Sequence, residues 1–280
     1  MNAQKRKNII LNIIVYMVLI IVVIFTLIPI GWVLSTSIKP ANEIFAKIPQ
    51  WIPGEVTFQN YKEVLLNSSI PNAFKNSFFV GLMSAFMALV LGGSAGYAFA
   101  RFQFRGSRFF SLFMLISQML PLTVLMIPVF YMENAVGLVD TKIGLAIAHL
   151  AISLPLVTWM AKGYFKGIPG EIEEAAIVDG CATFQVIRLI ILPLLKPAIA
   201  ATGVYAFISS WNEFALANVL TRSPNSATVP IALNEFSSFF KVNWGQTMAA
   251  AMLITIPIVV VFMIFQKQFV EGLASGAVKG

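Results

Sequence analysis

The chain has 280 residues, of which 58% are apolar and only 11% charged, whereas an average soluble domain carries about 25% charged residues. One soluble core of this length cannot bury so many apolar side chains, which excludes a soluble globular protein. The formal net charge is +7. Because the cations lie in short clusters between apolar runs, they indicate anchoring at a membrane face rather than nucleic-acid binding.

Apolar stretches that are almost free of charge divide the chain into predicted membrane spans. A helix needs about 20 apolar residues to cross a bilayer. Six stretches meet this condition, and they predict an all-α membrane protein whose single transmembrane domain covers residues 1–280. The predicted helices occupy about 9–31, 77–99, 109–131, 143–161, 189–208 and 247–265.

The first and fifth predicted spans each carry a feature that a membrane helix must accommodate. The first apolar run follows Lys5-Arg6-Lys7 and is far longer than the apolar region of a signal peptide, so it is interpreted as an uncleaved anchor. The fifth contains Lys196. Since a charge at the bilayer centre costs about 2.5–3.5 kcal/mol, we place Lys196 near a membrane face.

Lysine and arginine positions set the predicted orientation. With the N-terminus inside, most of the 19 cationic residues fall on the cytoplasmic side, so both termini are predicted to be cytoplasmic. The outer loops are then 32–76, 133–142 and 209–243. The cytoplasmic cations are Lys5, Arg6, Lys7, Arg101, Arg105, Arg108, Lys162, Lys166, Arg188, Lys196, Lys267 and Lys279.

Neither metal chemistry nor catalysis is indicated by the reactive side chains. The single Cys181 permits no internal disulfide and fits no cysteine-based metal site. The single His149 lies in an apolar run, which is typical of a packed helix residue. The sequence has no nucleophile elbow and no phosphate-binding glycine loop. We therefore expect no catalytic residue, no metal and no cofactor.

Gly92 and Gly96 form a small-xxx-small pattern within the second predicted span. Residues four apart lie on one face of a helix, and two glycines there allow another helix to approach closely. The pattern predicts tight helix packing.

The cytoplasmic loop 166–188 is the most polar connection between predicted spans. It holds four of the 12 acidic residues, which are Glu171, Glu173, Glu174 and Asp179. Carboxylates in a first turn favour a helix start, and Gly180 is suited to the left-handed conformation that ends a helix. The predicted short helix is either an amphipathic connector on the membrane surface or a docking element. Helices that bind anionic lipid are usually basic, so the acidic loop favours a protein partner with basic groups.

The same loop resembles the EAA signature of ABC-importer permeases. It contains Glu174-Ala175-Ala176, then three residues, Gly180, nine residues, Ile190, one residue and Leu192-Pro193. Cys181 departs from the alanine usual after the glycine. Further landmarks resemble carbohydrate permeases of the maltose-importer type from the first helix onward: Asn60-Tyr61, Asn76-Ser77, Ala95–Arg101, Trp211-Asn212-Glu213-Phe214, Trp244-Gly245 and the tail from Phe269 to Gly280.

The resemblance implies the type I ABC importer permease fold in a bacterial cell (inner) membrane. It also implies four kinds of partner besides the lipid bilayer: a homologous second permease subunit, an ATPase subunit dimer, an extracellular or periplasmic solute-binding protein, and a sugar. Loop 166–188 would be the coupling loop that docks on the ATPase. Two other functions remain open: a related permease for a non-sugar solute, and an ATP-independent carrier or channel.

Two groups of residues are the candidate functional sites. Glu174 is expected to form an ion pair with the ATPase, Gly180 to set the turn, and Ala175 and Ala176 to allow close packing. The ATPase-coupling candidates are Glu171, Glu174, Ala175, Ala176, Asp179, Gly180, Gly276 and Gly280. The substrate-path candidates are Trp211, Asn212 and Glu213, although Trp211 equally suits anchoring at the membrane interface.

The charge asymmetry leads to a test of orientation. Cysteines introduced near Asn60 and Asn225 should react with an impermeant thiol reagent added outside intact cells, whereas Asp179→Cys should react only after the membrane is opened. All variants carry Cys181→Ala, because that thiol lies in the same loop as Asp179. Labelling of Asp179→Cys from outside would reverse the predicted orientation.

Overall fold

The computed structural model describes the backbone of residues 3–236 and 242–277, and the side chains of 9–236 and 242–268. The described residues form α-helices, one π-helix and no strand, which confirms the predicted all-α class. The helices are α1 (Ala3–Ser37), α2 (Ala41–Ile44), α3 (Gln59–Leu66), α4 (Ile70–Arg101), α5 (Ser107–Ser117), α6 (Leu122–Ala135), α7 (Lys142–Gly167), α8 (Glu171–Val178), α9 (Thr183–Val186), the π-helix (Ile187–Ile191), α10 (Leu192–Leu194), α11 (Lys196–Trp211), α12 (Ala215–Leu220), α13 (Val229–Asn234) and α14 (Trp244–Ala277).

Four described helices are long and apolar enough to cross a membrane without interruption. They contain the segments Ile9–Ser37, Ile70–Arg101, Lys142–Gly167 and Trp244–Gln268. Two bent helix pairs, α5 with α6 and α9–α10 with α11, also have the required composition. Counting each pair as one span gives the predicted six.

The third and fifth predicted spans differ from straight helices because prolines interrupt them. The pair α5–α6 is bent by 104° beside Pro121, and the pair that continues into α11 is bent by 80° at Leu195. Pro197 lies in the first turn of α11, where its missing N–H is tolerated, so a new helix begins there. The predicted 189–208 helix is therefore divided, and Lys196 lies at the start of α11 and is exposed.

The chain divides into two compact units, of which the smaller comprises Met1–Ser68 and Glu235–Thr255. In this unit the Asn60 side chain donates hydrogen bonds to the carbonyl oxygens of Ser37 and Lys39, each over 3.0 Å. Gly245 lies so close to Asn60 that an added Cβ would be 2.6 Å from its Oδ1. Asn60 therefore fastens the C-terminal end of α1.

The larger unit, Ser69–Asn234 and Ile256–Gly280, is built on the packing of α4 against α7. A Cβ added at Gly96 would be 2.5 Å from the Ala161 Cβ and 2.8 Å from the Lys162 backbone nitrogen. One added at Gly92 would be 2.7 Å from a methyl group of Val157. These distances leave room only for hydrogen, which confirms the close approach predicted from the small-xxx-small pattern.

The N-terminal part of α4 is hydrogen-bonded to the segment that leads into α13. The Asn76 side chain donates to the carbonyl of Ala227 over 2.9 Å, and the Ser77 hydroxyl accepts from the backbone N–H of Val229 over 2.8 Å. Both Asn76 and Ser77 are buried. Asn76-Ser77 therefore has a structural role: it joins α4 to the segment that leads into α13 by hydrogen bonds.

Asp140 orders the loop that follows α12. Its Oδ1 accepts hydrogen bonds from the Ser226 hydroxyl and from the backbone N–H groups of Arg222 and Ser223, at 2.9 and 3.0 Å for the two N–H groups. Burial opposes ionisation of this carboxyl, but the hydrogen bonds outweigh burial and lower the pKa of Asp140 to about 2. The carboxylate is therefore charged throughout the physiological pH range.

The packing of α4 on α7 can be tested with two glycines on neighbouring turns. Gly96→Ala forces its new methyl group into Ala161 and should destabilise the protein by about 1–3 kcal/mol, the range for overpacking. Gly93→Ala is the matched control, because a Cβ there meets nothing within 4 Å and alanine favours helix. The midpoint of thermal unfolding in detergent should fall for Gly96→Ala and stay level or rise for Gly93→Ala. Equal midpoints would contradict the close approach.

Candidate functional site

Helix α8 has the start and stop signals expected of a short isolated helix. Its first turn contains Glu171, Glu173 and Glu174, whose charges complement the positive helix N-terminus. It ends at Val178, and Gly180, two residues later, has a φ of +89°, which confirms the predicted left-handed conformation. The N–H of Cys181 reaches the carbonyl of Ala176, and that of Gly180 reaches Ile177, each over 3.0 Å. This pair of bonds is the Schellman motif.

One face of α8 is exposed. Glu171, Glu174, Ala175 and Val178 are all exposed, and their spacing of i, i+3, i+4 and i+7 places them in a single stripe. We call these four residues the outer stripe. Val178 is 86% exposed, so the stripe offers apolar as well as acidic surface. Asp179 and Gly180 continue the exposed surface beyond the helix end.

The opposite face of α8 packs inside the larger unit through two buried residues, Glu173 and Ala176. Ala176 belongs to an apolar cluster with Phe165, Val186 and Ile191, among others. The small side chain of Ala176 therefore allows close approach within its own chain. We expected Ala176 to contact an ATPase, and that contact stays a prediction. The buried position of Ala176 leaves no open surface for it.

Glu173 is held by the last two turns of α4. Its Oε1 is 2.6 Å from both the Nε and the Nη2 of Arg101, and its Oε2 accepts from the Tyr97 hydroxyl over 2.9 Å. Arg101 Nη2 also donates to the carbonyl of Ile168 over 3.1 Å. Glu173 was not among the residues selected from the sequence. The available signal was helical spacing, because Glu173 precedes the small Ala176 by three residues and therefore shares its face of the helix.

The chain after α8 leads into α11 through short helices. Gln185 accepts a hydrogen bond from the backbone N–H of Ala182 over 2.8 Å and so caps the start of α9. The π-helix then widens the backbone before Pro193. Beside this segment lies a mainly apolar cavity of about 880 Å³, whose lining includes Tyr97, Arg188 and Lys196. Trp211, Asn212 and Glu213 are not among its lining residues.

Trp211, the first of the three substrate-path candidates, is buried in contacts of its own chain. It is 1% exposed and packs against the rings of Phe74, Phe78 and Phe207. The next candidate, Asn212, is exposed. These surroundings account for Trp211 by packing alone, and its role towards substrate stays a prediction.

Glu213 lies between α11 and α12 and forms a buried polar cluster. Its carboxylate accepts from the backbone N–H groups of Leu216 and Ala217 over 2.9 and 3.0 Å, which caps the start of α12. Its Oε2 lies 3.1 Å from Nε2 of His149, whose Nδ1 is 2.7 Å from the Ser210 hydroxyl. Burial favours the neutral acid, but the contacts with His149 and the two N–H groups outweigh burial and lower the pKa of Glu213. The cluster gives Glu213 a structural role.

The two candidates in the tail differ in what is described of them. Gly276 lies in the backbone of α14, and Gly280 lies outside the described residues. Their predicted contact with an ATPase stays a prediction.

The chain has extensive similarity to known transport proteins. Residues 88–275 match the family described as binding-protein-dependent transport system inner membrane component. The trehalose transport system permease protein SugB of Mycobacterium tuberculosis is 38% identical over 262 residues, covering 93% of this chain and 95% of that relative. The diacetylchitobiose uptake system permease protein DasC of Streptomyces coelicolor is 34% identical over 252 residues, covering 90% and 91%.

A solved structure shares the fold. It belongs to a bacterial ABC transporter involved in the import of the acidic polysaccharide alginate. The match has a TM-score of 0.79 and 25% sequence identity, and it covers 94% of this chain and 98% of the other. The similarity in fold therefore extends over nearly the whole chain.

The helix stop at Gly180 can be tested against a neighbouring glycine. Gly180→Val should disrupt the end of α8, because a left-handed residue with a side chain costs about 1–2 kcal/mol and a β-branched residue more. Gly170→Ala is the control: a Cβ meets nothing within 4 Å at either glycine, but Gly170 has an ordinary φ of −63°. Hydrogen exchange of the α8 amides should accelerate only in Gly180→Val. Unchanged exchange in that variant would contradict the backbone argument.

Proposed function

This chain belongs to the binding-protein-dependent transport system inner membrane component family, and on that premise we propose that it is a permease subunit of an ATP-driven bacterial sugar importer. The observation that carries the proposal is the outer stripe of α8, an acidic and apolar surface on a helix whose other face is fixed to the larger unit. Loop 166–188 then lies on the cytoplasmic side together with both termini.

The chemistry of the outer stripe supports docking on a basic partner. Glu171 and Glu174 are one turn apart and exposed, and among the described residues neither side chain has a hydrogen-bond or ion-pair partner. Val178 adds apolar surface to the stripe, and the 71%-exposed Phe184 adds more on α9, the helix that contacts α8. A groove that combines a cation with apolar walls would bury this surface and pair Glu174. The ATPase dimer of the importer is the partner we assign to it.

The division of labour follows from the chain's own motifs. The sequence contains no G-x-x-x-x-G-K-[ST] motif, so it lacks the loop with which P-loop ATPases hold nucleotide phosphates. Proteins of this family are membrane permeases, and ATP hydrolysis belongs to a separate subunit. Energy must therefore reach this chain through a protein contact.

Helix α1 supports pairing with a second permease. From position 9 to position 30 every residue is exposed, and an 18-residue stretch of this helix has a mean hydropathy of 3.2. A helix with this composition needs lipid or another apolar helix around it. We assign part of that surface to a homologous second subunit, with which this chain encloses the translocation path.

The sugar substrate and its delivery are inferred from relatives. The names of the two relatives specify trehalose and diacetylchitobiose, and the similar structure belongs to an importer of alginate. All three are carbohydrates. The family description specifies dependence on a binding protein, so an external solute-binding protein is the proposed donor of the sugar.

Transport then requires two conformations of the permease that the ATPase dimer binds with different affinity. A partner shifts a conformational equilibrium only by the difference between its affinities for the two states. The outer stripe supplies that contact, because closing of the ATPase dimer on ATP would displace α8 and favour one conformation of the spans.

The proposed function predicts a strong effect of Glu174→Ala. Glu174 is exposed in this chain, so its removal should leave the amount of inserted permease unchanged. Loss of one partner from a buried charge pair costs about 2–5 kcal/mol, so ATPase association or sugar-stimulated ATP hydrolysis should fall together with transport. Glu55→Ala is the control, an exposed acid in the segment between α2 and α3. The measurement is sugar uptake in vesicles containing both permeases, the ATPase and the binding protein.

Two results would contradict the proposal. Normal uptake by Glu174→Ala at normal abundance would remove the docking role from that residue. Purification of the wild-type chain without an ATPase and a second permease, or uptake that does not depend on ATP, would remove the importer function itself.

A further inference from the structure

We propose that the Arg101–Glu173 ion pair is the joint through which movement of α8 is passed to the α4 span. This joint depends on the proposed function, since the outer stripe is taken as the surface on which the ATPase acts. Glu173 and Arg101 are positioning residues here: neither belongs to the outer stripe, and both act by fixing α8 to α4.

The joint is directional because every oxygen of the Glu173 carboxylate has a partner on α4. Arg101 binds Oε1 through two nitrogens at 2.6 Å, and Tyr97 binds Oε2 at 2.9 Å. The planar guanidinium presents its donors in a fixed fork. The same group reaches the carbonyl of Ile168, just beyond the end of α7. One side chain thus joins α4, α8 and the chain that leaves α7.

Burial makes this pair more than a surface contact. The side chains of Arg101 and Glu173 are 16% and 11% exposed. Charges that are shielded from water interact more strongly and are screened less by salt than exposed pairs. The side chain of the other buried residue of α8, Ala176, makes apolar contacts, which lack direction. A displacement of α8 is therefore resisted chiefly at Glu173.

Among the helices next to α8, α4 is the one suited to carry such a displacement. It runs for 32 residues, about 48 Å at 1.5 Å per residue, and its proline lies only in the first turn. Pro155 interrupts the hydrogen bonding of α7. The route from α9 to α11 passes through the π-helix and the 80° bend. An unbroken helix transmits tilt along its length with less loss than a bent one.

The test uses the complete importer in vesicles and measures ATP hydrolysed per sugar transported. Glu173→Gln keeps the shape of the side chain but removes its charge. We expect this variant to retain the ATPase and to hydrolyse at least about five times as much ATP per sugar as wild type. Fivefold is the lower end of the usual range for coupling between two sites. Tyr97→Phe separates the two contacts of the joint: it removes one neutral hydrogen bond and leaves the ion pair, so its ratio should rise less than that of Glu173→Gln.

A charge exchange provides the rescue. Arg101→Glu and Glu173→Arg should each raise the amount of ATP hydrolysed per sugar transported. The double variant, which restores the ion pair, should return this ratio towards the wild-type value. Where a charge reversal prevents assembly of the importer, Glu173→Gln and Tyr97→Phe still test the joint. If Glu173→Gln loses ATP hydrolysis and transport in parallel, so that their ratio is unchanged, the pair is merely structural. That result would overturn the proposal that it passes movement of α8 to α4. A wild-type complex without ATP-driven uptake would overturn the proposed function and the joint with it.

Discussion

The close contact of α4 with α7 is the constraint on which the larger unit depends. Lipid provides no hydrophobic force between helices, so their association relies on packing at short range. Gly96 allows α4 to pack at this short range against α7. The packing positions both ends of α4 relative to α7. At one end Asn76 and Ser77 then reach the backbone of a loop, and at the other Tyr97 and Arg101 reach Glu173.

Features governed by local rules could be predicted from the sequence, and features governed by distant contacts could not. The all-α class follows from apolar length, and the left-handed Gly180 follows from its place after a short helix. The bend at Leu195 was not predicted. Prolines are tolerated in many membrane helices because neighbouring groups satisfy the freed backbone, so a proline alone does not give the angle.

The candidate site shows the same division. The exposure of Glu171 and Glu174 follows from their charge, but Ala176, which we expected at the docking surface with Ala175, is buried, and Val178 takes its place in the outer stripe. The role of Glu173 could not be predicted, because its partner Arg101 is 72 residues away in the chain. Trp211 and Asn212 were selected for substrate because aromatic and amide groups suit sugars, and Glu213 because an acid near a membrane boundary calls for a partner or a function. The burial of Trp211 and Glu213 against other helices, which sequence does not reveal, gives these two structural contacts.

The two faces of α8 separate what holds the fold from what meets a partner. Glu173 and Ala176 secure the helix from one side, while the outer stripe contributes no buried contact within the described part of the chain. Substitutions on the outer stripe can therefore accumulate with little effect on stability. A bacterium with several related importers can evolve separate pairings between permeases and ATPases by changing a few exposed side chains. Gene duplication followed by such changes would insulate one nutrient system from another without redesign of the membrane domain.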